Sequence, residues 1–160
     1  MALRPNDRRN ACIRIAWELL KNKDKAYYSE YDNRWNWHNS KTPTFPFTSD
    51  CSGTVTAINY WAGGNDPNGL DFRAGYTGTI LAHARENKLI IPRNAVLHGD
   101  LILFGSGDVP VHVVMSMQNT FFHKNPLCFS MGKQGDPSLV LLSVLEGLGE
   151  PTFVRNVTRK

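Results

Sequence analysis

Ser49-Asp50-Cys51-Ser52-Gly53-Thr54-Val55-Thr56-Ala57-Ile58-Asn59-Tyr60-Trp61-Ala62-Gly63-Gly64 is the stretch on which the reading of this chain turns. Ser49-Asp50 is a helix-start signal, Val55, Ile58 and Ala62 recur on one helical face, and Gly63-Gly64 supplies a stop. The pattern predicts a helix with Cys51 at its beginning. A thiol at that position meets unpaired backbone N–H groups and the positive end of the helix dipole, both of which favour thiolate over thiol. Cys51 is therefore expected to be the reactive cysteine.

Working toward the N-terminus, residues 27–47 hold Tyr27, Tyr28, Tyr31, Trp35 and Trp37 among Asn, Thr and Pro, which predicts an ordered surface loop. Its aromatic residues could stack a ligand or pack the loop onto the domain. Before it, residues 7–21 carry Ala11, Ile15 and Leu19 with Cys12, Ala16 and Leu20 one position round, a helical spacing after Pro5-Asn6-Asp7. Toward the C-terminus, Thr77 or Thr79 can cap a third helix through Ile80, Leu81, Ala84 and Lys88, closed by Pro92. Beyond it the texture changes to short apolar runs between turns, at residues 101–104, 111–117, 127–129 and 152–157, which read as strands. Residues 138–148 fit a short helix and a strand equally well. Helices first and an antiparallel sheet second give an α+β fold, expected as a single domain over residues 1–160.

The chain has 160 residues, 41% of them apolar, enough for one core without disulfide staples. Three cysteines, Cys12, Cys51 and Cys128, cannot close a disulfide framework, so at least one thiol is expected to be free. Cys12 on an apolar helix face and Cys128 inside Leu127-Cys128-Phe129 read as small core residues. No window is long and apolar enough to span a bilayer, and Met1-Ala2-Leu3-Arg4-Pro5-Asn6-Asp7 is not an export leader. Synthesis in the cytosol, no membrane insertion and a monomer are expected. A formal net charge of +4 favours polyanionic surroundings. The Lys and Arg residues form no dense stripe or nucleic-acid module, so nucleic acid is not the expected partner. No knuckle or helical spacing of metal ligands, Gly-x-Gly-x-x-Gly or Walker loop is present, and neither metal nor cofactor is expected.

A thiolate nucleophile needs an imidazole, and five histidines are available. His112 opens the strand-like run Val113-Val114-Met115 just after a turn with Gly107 and Pro110, which places its ring on a rigid edge. His38 and His83 read as solvated, and His98, before Gly99-Asp100, as a turn residue.

The ordered set Asp50-Cys51-Ser52-Gly53, Gly99-Asp100-Leu101-Ile102-Leu103-Phe104 and His112-Val113-Val114-Met115 resembles the NlpC-type papain-like cysteine peptidases of bacterial cell-wall metabolism. The resemblance is nearest to the version in endolysins of phages infecting actinobacteria. It extends to Arg34-Trp35, Ala62-Gly63-Gly64-Asn65-Asp66-Pro67-Asn68-Gly69 and Gly75-Tyr76-Thr77-Gly78-Thr79, so it covers about residues 27–137. It implies Cys51 as nucleophile, His112 as its proton partner, and an oxyanion site at the Cys51 backbone N–H supplemented by an upstream tyrosine hydroxyl. Tyr28 is the best match for that tyrosine, with Tyr31 as the alternative. Trp35, Asp50 and Ser52 are the implied substrate-binding residues. The implied partner is bacterial peptidoglycan, and the implied location is the host cytoplasm until release to the wall.

Relatives place a polar residue, often histidine in Ser-His-Gly, where this chain has Ser130-Met131-Gly132. A thioether is a weak acceptor and orients an imidazole poorly. His123 or Asn119, a water or a backbone carbonyl is then expected to replace Met131. Two further readings follow: an inactive wall-binding or virion structural module that kept the fold, and acyl transfer or deamidation on the same Cys-His pair.

Overall fold

The computed structural model describes residues 4–132 and 136–156. Pro5 is the first residue of helix α1 (Pro5–Lys21), where its missing N–H costs nothing, and Ala11, Cys12, Ile15, Ala16 and Leu19 form the buried stripe the spacing predicts. Helix α2 (Cys51–Trp61) begins at Cys51, as read from the sequence, and is buried along almost its whole length. Helix α3 (Thr77–Glu86) starts where Thr79 Oγ1 accepts the Tyr76 N–H at 2.8 Å.

The loop expected over residues 27–47 contains more structure than its composition suggested. Strands β1 (Ala26–Tyr28) and β2 (Phe47–Ser49) pair in parallel, and a 3-10 helix over Asp32–Asn39 lies between them. Trp37 is buried there, with ring centroids 5.3 Å from Trp35, 5.6 Å from Tyr60 and 6.0 Å from Trp61. These aromatics pack the segment onto α2, the second of the two roles open to them.

The main sheet combines β3 (Ile90–Ile91), β4 (Leu101–Ser106), β5 (Val109–Ser116), β6 (Leu127–Met131), β7 (Pro137–Leu141) and β8 (Glu150–Val154) in the order β3-β8-β4-β5-β6-β7, antiparallel throughout. Residues 138–148 satisfy both of their readings, since β7 runs directly into the short helix α4 (Leu142–Leu145). The last strand ends at Val154, and Val157 lies outside the described residues.

Side-chain alternation divides the sheet between two apolar clusters. Leu101, Leu103, Val113, Met115, Phe129 and Met131 join α1, α2 and α3, whereas Ile102, Phe104, Val114 and Cys128 join Leu142, Leu145 and Phe153. The architecture is the α+β arrangement expected, with the cysteine-bearing helix packed on the sheet that carries His112. All three cysteines are free thiols. No helix among the described residues is long and apolar enough to cross a membrane.

Candidate active site

The start of α2 is held by Asp50. Its Oδ1 accepts the Gly53 N–H at 2.6 Å and the Ser52 hydroxyl at 3.0 Å, and its Oδ2 pairs with the Arg34 guanidinium. Arg34 also donates to the Gly75 carbonyl at 3.0 Å, tying the segment before β2 to the loop before α3. This N-cap satisfies one of the orphan donors of the helix start and fixes Cys51 as its first residue.

The thiol meets β5 where that strand loses its neighbour. The β5–β6 register runs through Ser116↔Cys128 and Met115↔Phe129 and goes no further toward the start of β5. Ser116 bonds toward β4 through Asp100 and Gly99, and Met117 bonds toward β6 through Leu127, so the Val113 N–H points to the side that β6 has left open. That donor acts on the Cys51 thiol, where it favours the thiolate. The N–H groups of Ser52 and of Cys51 itself act on the thiol in the same direction.

His112 is the residue next to Val113, and strand alternation turns its side chain to the opposite face of the sheet, the face of Phe104 and Val114, away from α2 and the sulfur. Its Nε2 lies 2.9 Å from Ser130 Oγ, a bond that bridges β5 and β6 across the same opening. Its Nδ1 makes no hydrogen bond with the described residues, and the thiol and the imidazole are not hydrogen-bonded directly to each other. Burial lowers the His112 pKa below its usual 6.5. Burial likewise pushes the Cys51 thiol up to about 11, against the Val113 N–H that lowers it and with the Asp50 charge that raises it further. The donors at the helix start were expected to favour thiolate, but loss of hydration outweighs them. At rest the two groups are a neutral thiol and a neutral imidazole.

A cavity of about 270 Å³ opens beside the sulfur, lined by Tyr28, Glu30 and Arg34 on one side and by Tyr76, Thr77 and Val111 on the other. Of the two upstream candidates Tyr28 is the one that lines this groove, and its hydroxyl donates to Glu30 Oε1 at 2.9 Å. Desolvation first, and the Glu30 hydrogen bond second, hold its pKa well above the usual phenol value. Tyr31, the alternative, is an exposed side chain that does not line the cavity.

Several expected site residues have other roles. Met131 is 1% exposed and packs in the helix-side core, so it orients nothing. Asn119 accepts from the His98 N–H at 2.8 Å and faces His98 Nδ1 at 2.9 Å, away from His112. The exposed His123 donates its backbone N–H to the Asn119 carbonyl and is likewise no partner of His112. Trp35 does not line the groove but lies under Arg34, whose Cζ is 5.2 Å from its ring centroid. Asp50 and Ser52 do line it, although their polar atoms are committed to the helix start. Ser130 is the residue the sequence reading missed. In Leu127-Cys128-Phe129-Ser130-Met131 it is the one strongly polar side chain, and the pleat sends it to the face opposite Phe129 and Met131.

No protein-family profile matches the sequence, and no curated protein resembles it at a significant level. Among solved structures, an NlpC/P60 family protein from Bacillus cereus ATCC 10987 is similar to this chain at 19% identity with a TM-score of 0.47. The similarity covers 72% of this chain and 34% of that one, so this chain matches about a third of the length of its solved neighbour.

Proposed function

We propose that this protein is a cysteine peptidase that hydrolyses amide bonds in the stem or cross-bridge peptides of bacterial peptidoglycan, as the catalytic domain of a phage endolysin acting on the wall after release from the host cytoplasm. The observation that carries the reading is Cys51 as the first residue of α2, its thiol lining an open groove beside Tyr28 and favoured as thiolate by the Val113 N–H. This reading requires the start of β5 to turn so that the imidazole reaches the groove, and the thiol proton then passes to His112 as Cys51 Sγ attacks the substrate carbonyl carbon. The oxyanion is met by the Cys51 N–H and by the Tyr28 hydroxyl, whose proton turns from Glu30 to reach it. Collapse of the tetrahedral species returns the proton from His112 to the departing amine and leaves a thioester on Cys51. Water, deprotonated by the same imidazole, releases the acid and restores the thiol.

Starting from neutral partners, the enzyme forms the charged pair only as substrate displaces water, so charge develops where the helix-start donors already point. The test is incubation of the purified protein with isolated cell walls. New free amines, released peptides of the mass expected for hydrolysis and their loss in Cys51→Ala support the reading. A product carrying a different acyl acceptor indicates transfer instead.

A second reading, a non-catalytic wall-binding or virion structural module, draws support from the thiol held neutral and without a direct bond to the imidazole. Sedimentation of the protein with walls that it leaves uncut favours that alternative.

A further inference from the structure

A second cavity, of about 440 Å³, lies away from the sulfur at the far end of α3. Its wall includes Asn65, Asp66, Phe72, His83, Asn87 and Asn156, and none of its lining residues is Lys or Arg. The Asp66 carboxylate is saturated: Oδ1 accepts the Asn68 N–H at 3.0 Å, and Oδ2 accepts those of Leu70 and Phe72 at 2.7 and 2.8 Å. It has little capacity left for a cation, and the lack of basic side chains disfavours an anion. These bonds hold Asp71 and Phe72 at φ of 52° and 60°, a left-handed conformation that non-glycine residues rarely adopt. The strained turn presents Phe72 as an apolar element of the cavity wall.

Opposite it, Asn87 Nδ2 donates to the His83 carbonyl at 2.9 Å and lies 3.1 Å from His83 Nδ1. With Nδ1 the acceptor, the ring proton is on Nε2. The pair is thereby left with one donor, His83 Nε2–H, and one acceptor, Asn87 Oδ1, neither hydrogen-bonded to a described residue. One donor and one acceptor on neighbouring side chains match in kind a secondary amide, which offers one C=O and one N–H. The cavity's two carboxylates are engaged, Asp66 by backbone N–H groups and Asp71 by Arg73 at 3.4 Å, and a polar pocket of this kind with an apolar wall suits an uncharged sugar whose apolar ring face rests on Phe72.

We propose that this cavity binds an N-acetylated sugar, with the acetamido group read by His83 and Asn87. The inference rests on the peptidoglycan reading above and names the part of that substrate which the catalytic groove leaves unassigned. The spacing agrees. The ten-residue α3 has Tyr76 and Thr77 at the catalytic groove and His83 and Asn87 at this cavity. It therefore separates the two by about 15 Å at most along its axis. An extended peptide of about four residues covers that distance, so a sugar held here can deliver its attached peptide to Cys51.

The test uses the full chain carrying Cys51→Ala, titrated with a tetramer of N-acetylglucosamine and, as control, a tetramer of glucose. The acetamido sugar is expected to shift NMR signals of His83, Asn87 and Phe72, and the glucose tetramer to leave them in place. A free stem peptide that shifts the same signals as strongly as the sugar would assign the cavity to peptide and overturn the proposal. In the active protein, His83→Ala and Asn87→Ala are each expected to lower cleavage of sugar-linked peptide about fivefold, the loss of one hydrogen bond. Cleavage of the free stem peptide should be unchanged. No sugar-dependent shift, or equal loss on both substrates, overturns the inference. If no peptide is cut while the sugar still binds at His83, the hydrolase reading fails and this site stands.

Discussion

Ser130 Oγ lies 2.9 Å from His112 Nε2 and joins two strands at the point where their backbone ladder has ended. The hydroxyl fixes the plane of the imidazole and leaves Nδ1 as the nitrogen available to exchange a proton. Ser130 makes the contact with His112 that the sequence reading sought from Asn119, His123 or the position of Met131.

Removing that hydroxyl tests its part. A neutral hydrogen bond contributes about 0.5–1.5 kcal/mol, so Ser130→Ala is expected to lower kcat/KM about three- to tenfold. The loss should fall on kcat and leave KM nearly unchanged, because the bond orients the imidazole and touches no substrate. Ser130→Asn, which can still accept or donate at Nε2, should recover part of the rate. Steady-state kinetics on a soluble stem peptide gives both numbers. Equal kcat for wild type and Ser130→Ala would leave the bond without a role in turnover.

The protonation states predict a pH profile. With the Cys51 thiol raised to about 11 and His112 lowered below 6.5, alkylation of Cys51 by iodoacetamide should climb through the alkaline range with one inflection near 11. A stable thiolate–imidazolium pair would instead give a plateau of fast alkylation at acid to neutral pH. Measuring the rate from pH 5 to about 11, with labelled Cys51 quantified by mass, separates the two. For turnover, protonation of His112 removes the proton acceptor, so kcat/KM should fall as pH drops below 6.5.

What the sequence made legible, and what it hid, divides by the range of the interactions involved. Asp50, Gly63 and the Val55–Ile58–Ala62 stripe lie within a few turns of one another, so the boundaries and buried face of α2 follow from local rules. Strands β1 and β2 are three residues each and exist because Ala26 meets Phe47 in parallel, a contact across twenty residues of irregular chain that no local pattern signals. Ser130 escaped for a related reason. Motif comparison matched Met131 to the orienting position, whereas the register of β6 decides which of two adjacent side chains reaches His112. The raised Cys51 pKa is likewise non-local. The helix start can be read from sequence, but the desolvation that outweighs it comes from burial of the sulfur in the folded chain.

All three thiols should make the fold sensitive to alkali. Burial raises Cys12 and Cys128 to about 12 and Cys51 to about 11, each above the ordinary 9.0 that applies to the unfolded chain. Above pH 9 the unfolded state loses protons that the folded state keeps. Stability then falls as pH rises, by about 1.4 kcal/mol per pH unit for each thiol fully in that window. Thermal melts at pH 7, 9 and 10.5 should show Tm steady and then declining. Cys128→Ala should flatten the decline, although the cavity it leaves also lowers Tm at pH 7. A Tm that rises between pH 9 and 10.5 would contradict buried, protonated thiols.

Gly53 provides a substitution whose sign separates local propensity from packing. It lies inside α2, where alanine ordinarily stabilises a helix over glycine by about 1 kcal/mol. Here a Cβ on residue 53 would stand 2.2 Å from Ser49 Oγ and 3.0 Å from Asp50 Oδ1. Neither neighbour gives way freely: Ser49 Oγ donates to the Arg34 carbonyl at 2.9 Å, and Asp50 is held by Gly53 N–H and Arg34. Gly53→Ala is therefore expected to destabilise by about 1–3 kcal/mol, the usual cost of overpacking. For a domain of this size that lowers Tm by several degrees. The same clash pushes on the cap that positions Cys51, so iodoacetamide labelling and any wall cleavage should change with it. The double variant Ser49→Ala with Gly53→Ala removes the nearest clashing atom and should regain part of the lost Tm. A single Gly53→Ala variant more stable than wild type would mean that the helix start is looser than its hydrogen bonds imply, and that the sulfur is not held firmly against β5.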